Sequence, residues 1–129
     1  YNSISFIESK SFNSNLKLQV LNVSFNKMKI ISEDFYGILE DIKSLFKIIL
    51  NNNNISNFNL SIHVSSEGEI NLEDNNLVEY PAALIYNTIY CPRLNLKRNK
   101  IKFINKSFFN ILCYVSHFSL SENLSLIHI

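Results

Sequence analysis

Residues 45–58 read Leu45-Phe46-Lys47-Ile48-Ile49-Leu50-Asn51-Asn52-Asn53-Asn54-Ile55-Ser56-Asn57-Phe58. Apolar side chains stand at Leu45, Ile48 and Leu50, an asparagine at Asn53, and apolar side chains again at Ile55 and Phe58. Ile48 and Leu50 have the spacing at which a short strand puts both side chains on one buried face. The wider step to Ile55 and Phe58 predicts that the chain has turned and is returning along a second wall.

The same frame recurs on either side. Upstream, Leu18, Leu21, Val23, Asn26, Met28 and Ile31 repeat it position for position. Downstream come Ile70, Leu72, Asn75, Leu77 and Tyr80, then Cys91, Leu94, Leu96, Asn99, Ile101 and Ile104. A further copy begins Val115, Phe118, Leu120, Asn123, and Asn2, Ile4 and Ile7 match the tail of another. The asparagines at 2, 26, 53, 75, 99 and 123 are thus 24, 27, 22, 24 and 24 residues apart. A unit this short cannot offset the entropy of ordering it, so repeats must stack, pairing their strands in parallel and covering each other's apolar flanks.

The asparagine has a definite task in such a stack. Where the strand turns inward, backbone groups lose their ladder partners and are costly to bury unpaired. A primary amide both donates and accepts, so it can serve the turn of its own repeat and that of the neighbour. Asn also tolerates a left-handed backbone, and with Gly at only 2 positions the repeated Asn is expected to supply it.

Alternating apolar positions around a fixed Asn resemble the leucine-rich repeat family, and the resemblance runs through nearly the whole chain. It implies an α/β fold: a curved solenoid segment, with a parallel sheet on the concave face and an irregular, 3-10 or short helical convex side. Residues 1–129 form one domain of about five repeats in this reading. The family's longer subtype places a Phe ten residues beyond the Asn, where this chain has Phe12, Tyr36, His63, Ile85 and Phe109. His63 departs from that pattern, with Ile62 beside it as a substitute, and Glu67 departs at the first apolar position of the third copy.

The side chains between the inward ones form the open face, which is the candidate binding surface. They are Val20, Asn22 and Ser24; Lys47, Ile49 and Asn51; Glu69, Asn71 and Glu73; Arg93, Asn95 and Lys97; His117, Ser119 and Ser121. Register puts Glu69 beside Arg93, Glu73 beside Lys97 and Asp74 beside Arg98, with Lys47 extending the first row. Lateral ion pairing between strands is the expected role of these charges.

Other chemistry is poorly represented. A net charge of +1 with 18% charged residues supplies no general field for nucleic acid. The basic run Arg93, Lys97, Arg98, Lys100, Lys102 and Lys106, with Phe103 as a stacking ring, alternates with core positions and has acidic neighbours. Apolar runs such as Ile48-Ile49-Leu50 or Ala82-Ala83-Leu84-Ile85-Tyr86 fall far short of a bilayer span, so no membrane insertion is expected. Cys91 and Cys113 lack zinc-site spacing and read as core thiols, and His63, His117 and His128 fall at different repeat positions. Glu73-Asp74-Asn75-Asn76 lacks the Gly and distant Glu of a calcium loop. No nucleophile elbow or phosphate loop is present, so no catalytic residue, metal or cofactor is assigned.

The family resemblance implies a recognition module for a protein or peptide ligand, part of a receptor ectodomain of the Toll-like or cell-adhesion kind at the cell surface. An intracellular, cytoplasmic adaptor, or the non-catalytic repeat part of a larger signalling enzyme, are the alternatives. The Asn-x-Ser tripeptides at Asn22, Asn54, Asn59, Asn105 and Asn123 permit glycosylation if the chain is secreted. With no initial Met and no leader the chain is expected to be an excerpt, and Ser125-Leu126-Ile127-His128-Ile129 resembles a translated adapter tail.

Overall fold

The computed structural model describes residues 1–8, 11, 12, 14–31, 42, 44–58, 64, 68–80, 93–104, 108 and 115–123. Strands β1 (Val20–Asn22), β3 (Lys47–Ile49), β5 (Glu69–Asn71), β6 (Arg93–Asn95) and β7 (His117–Ser119) form one sheet in the order β1-β3-β5-β6-β7. All four pairings are parallel. Each strand is three residues long and belongs to a different sequence repeat. Leu21, Ile48, Ile70, Leu94 and Phe118 stand in one row across the sheet. The register is that given by aligning the asparagines.

Backbone pairing continues beyond the strands. The N–H groups of Val23, Leu50, Leu72 and Leu96 donate to Ile49, Asn71, Asn95 and Ser119 at 2.8 to 2.9 Å. Two residues on, those of Phe25, Asn52, Asp74 and Arg98 donate to Asn51, Glu73, Lys97 and Ser121 at 3.0 to 3.1 Å. The strand then turns, and Asn54, Asn76 and Lys100 donate to Met28, Ile55 and Leu77 at 2.8 to 2.9 Å. Parallel strands need long crossovers, and the spacing of the repeats provides them.

The core follows the apolar frame. Ile48, Ile70 and Leu94 are buried, as are Leu50, Leu72 and Leu96 in the next row, then Met28, Ile55, Leu77 and Ile101, and finally Ile31, Phe58 and Ile104. Phe12, Leu18, Tyr80, Val115, Phe118 and Leu120 pack against it, partly buried. The second wall, expected to be irregular, 3-10 or short helical, also contains a pair of short strands where it is described. β2 (Ile30–Ile31) pairs in parallel with β4 (Asn57–Phe58), a two-stranded sheet in which Ile31 and Phe58 face the core. Only Phe108 is helical among the described residues. Tyr36, Ile62, His63, Glu67, Ile85, Cys91, Lys106, Phe109, Cys113, His128 and the tail 125–129 lie outside those residues.

Candidate binding face

The turn after each strand is closed by its asparagine. Asn75 Nδ2 donates to Leu72 O of its own repeat at 3.1 Å and to Leu50 O of the preceding one at 3.0 Å, while its Oδ1 accepts the Ile55 N–H at 3.0 Å. Asn99 repeats this with Leu96, Leu72 and the Leu77 N–H. Asn53 does so with Leu50, Val23 and the Met28 N–H, and Asn123 with Leu120, Leu96 and the Ile101 N–H. Asn26 holds Val23 O and accepts from the Ile4 N–H. Asn75 and Asn99 are the buried polar side chains among the described residues, and no buried side-chain nitrogen or oxygen there lacks a partner.

The left-handed residue is not the ladder asparagine. It is the residue immediately before it: Phe25, Asn52, Asp74, Arg98 and Glu122 have φ of 50 to 57°. The ladder amide must point inward to reach carbonyls of two repeats, and the backbone reversal that aims it falls one residue earlier. Asn and Asp accept that conformation readily, whereas Phe, Arg and Glu do so at a steric cost.

All fifteen side chains expected on the open face are exposed or half-exposed, and none is buried. Val20, Lys47, Glu69, Arg93 and His117 share one row, and Asn22, Ile49, Asn71, Asn95 and Ser119 another. In that second row Asn22, Asn71 and Asn95 also shape the backbone. Their Oδ1 atoms accept the N–H groups of Ser24, Glu73 and Lys97, each at 3.0 Å. Ile49 cannot do this, and Asn51 instead donates to the Asn52 side chain at 2.7 Å.

The charges pair laterally, with partners that differ in part from those aligned by register. Lys47 Nζ reaches Glu69 at 2.8 Å. Glu73 does not engage Lys97. It binds Arg98 Nη2 at 2.6 Å and accepts from Asn95 Nδ2 at 3.0 Å, and Lys97 turns to Glu122 at 3.0 Å. Arg98 grips Asp74 as expected, Nε to Oδ1 at 2.6 Å and Nη2 to Oδ2 at 2.8 Å. That double hydrogen bond is the main reason Asp74 lies below the ordinary carboxylate range; the Arg98 charge, the Asn52 amide and Lys97 act in the same direction, and burial opposes them. The same contact raises Arg98, whose guanidinium stays protonated. Glu122 is a partner that the charge rows read from the sequence did not include. Its signal is its place in the row of Asp74 and Arg98.

An open groove of about 620 Å³ lies on the β6–β7 half of this face, with Glu69, Arg93, Asn95, His117 and Ser119 in its lining. Ser116 Oγ contacts His117 Nδ1 at 3.1 Å, leaving Nε2 as the other ring nitrogen. Among the described residues no cluster of His, Cys, Asp and Glu is arranged to hold a metal ion, and no helix is long and apolar enough to cross a membrane. No protein-family model matches this sequence, and no characterised protein aligns with it at a significant level.

Proposed function

We propose that the chain is a segment of a leucine-rich-repeat solenoid that binds a protein or peptide ligand on its open sheet. The observation that carries this reading is a contrast between two sets of rows. The residues that close the turns are the same from repeat to repeat, Asn26, Asn53, Asn75, Asn99 and Asn123. The first row of the open face changes at every strand, from Val20 to Lys47, Glu69, Arg93 and His117. A uniform frame presenting a varied surface is the arrangement of a recognition module, and the varied rows have no common chemistry that would serve a reaction.

The face offers a partner both apolar and charged contacts. Val20 and Ile49 supply apolar area at the β1–β3 end, and the Lys47–Glu69 pair and the Arg98 cluster fix a pattern of sign across it. Such a pattern governs orientation and encounter rate more than affinity. The proposal places the chain at the cell surface as part of a receptor ectodomain, with no cofactor and no reaction of its own.

Selection of peptides from a displayed library against the chain tests this reading. Binding of the selected peptides should drop at least tenfold in the double variant E69K/E73K and stay within twofold in K29E, which lies past the turn. Peptides equally sensitive to K29E, or insensitive to the face, would remove the sheet as the ligand surface.

A further inference from the structure

Three of the five Asn-x-Ser tripeptides have their asparagine among the described residues, at Asn22, Asn54 and Asn123. Their side chains are engaged in different ways. Asn123 Nδ2 donates to Leu120 O at 2.8 Å and to Leu96 O at 2.9 Å, so both of its hydrogens are committed to the turn. Asn22 uses its oxygen instead. Its Oδ1 accepts the Ser24 N–H at 3.0 Å and the Ser24 hydroxyl at 2.7 Å, and its Nδ2 has no partner among the described residues. Asn22 is exposed, on the edge strand of the sheet.

We infer that, with the chain at the cell surface as proposed above, Asn22 is an N-glycan acceptor and Asn123 is not. In the transfer, Asn22 Nδ2 forms a bond to the anomeric carbon of a pyrophosphate-lipid-linked oligosaccharide. The bond from that carbon to the pyrophosphate oxygen breaks, the lipid pyrophosphate leaves with the electron pair, and the amide gives one proton to a base of the transferase. The product keeps one N–H and the whole amide oxygen. The Ser24 contacts, which use only that oxygen, survive the modification unchanged. At Asn123 the same reaction removes a hydrogen that the turn needs and inserts a sugar between two repeats. Asn54 is also exposed and also uses its oxygen, which accepts from Asn76, so it serves as an internal positive control one residue past the ladder.

The location gives the modification a consequence for recognition, and this consequence alone rests on the sheet being the ligand surface. A glycan on β1 stands over the Val20 and Ile49 end of the face. The groove bordered by Arg93 and His117 reaches Glu69 on β5, two strand spacings away, about 10 Å at the usual inter-strand distance. The sugar therefore withdraws the Val20 and Ile49 contacts that the unmodified face offers and leaves the β6–β7 half as the open contact area.

The test is expression of the chain behind a cleavable secretion leader in a eukaryotic host. Enzymatic release of glycans in heavy-oxygen water then converts each occupied asparagine to a labelled aspartate, read by peptide mapping. The expected result is label at Asn22 and Asn54 and none at Asn123. S24A should abolish the label at Asn22 while keeping its amide, which guards against a folding defect in N22Q, and should remove one glycan step in gel mobility. An unlabelled Asn22, with Asn54 labelled or not, overturns the inference, as does label at Asn123. Occupancy is read without any ligand, so failure here is separate from failure to find a peptide partner.

Discussion

Arg98 holds Asp74 through two parallel contacts, Nε to Oδ1 at 2.6 Å and Nη2 to Oδ2 at 2.8 Å, between residues at the same position of adjacent repeats. Both have left-handed backbones, which places their side chains side by side at the turn. The bidentate geometry fixes the carboxylate more firmly than a single long-range contact does.

This contact sets a pH dependence. Asp74 has a lower folded than unfolded pKa, so its contribution to stability is complete above the ordinary aspartate value of about 4 and is lost as pH falls through the lower folded value. Urea midpoints measured across pH should therefore fall on acidification below about pH 4, and D74N should be less stable at neutral pH with a flatter acid limb. Parallel curves for the two proteins would show that the pair does not contribute.

Replacing Asn75 by Leu orphans the Ile55 N–H and the second contacts of Leu50 and Leu72 in a buried turn. The expected loss is about 1 to 3 kcal/mol for the unpaired N–H alone. Asn26 is half-exposed, and N26L should cost less. Chemical denaturation of the two variants distinguishes a ladder from a row of interchangeable polar residues, for which the losses would be alike.

The backbone at Asn52, with φ of 54°, is tested by a pair of variants. N52V and N52G both lose the side-chain contacts to Asn51 and Asp74. Only valine adds the left-handed penalty, on the order of 1 to 2 kcal/mol, so N52V should melt well below N52G.

Neighbours on β3 should respond oppositely to truncation. Ile48 is fully buried, and I48A should cost about 2 to 5 kcal/mol by leaving a cavity between strands. Ile49 is half-exposed on the open face, so I49A should stay within about 1 kcal/mol. Equal losses would mean that the sheet has a second covered side.

Strand register was legible before any coordinates because a three-residue strand with one buried position leaves no freedom to slip: moving Ile48 by one residue would put Lys47 in the core. The ladder was legible for a related reason, since a primary amide is the side chain that can serve a donor and an acceptor at once. Two details were not. Register places Glu73 beside Lys97, but a glutamate reaches past its own row, and Arg98 offers it a fork already held in place by Asp74. The left-handed residue was assigned to Asn because Asn tolerates it best, yet the inward aim of the amide moves the reversal to Phe25, Arg98 and Glu122, whose propensities argue against it. The β2–β4 pairing was hidden as well, since two residues have no periodicity to read.

Every ladder asparagine reaches backward. Asn53 serves Val23 and Met28, Asn75 serves Leu50 and Ile55, and Asn99 serves Leu72 and Leu77, whereas in none of these bonds does an earlier asparagine close a later turn. The array is therefore polar, like a filament with unlike ends. Peeling a repeat from the β7 side takes an amide from the backbone of the turn it exposes, whereas peeling one from the β1 side takes backbone partners from an amide such as Asn53. Fraying should therefore be asymmetric, because loss at the β7 side uncovers a backbone N–H such as that of Ile101 and loss at the β1 side uncovers a side-chain amide.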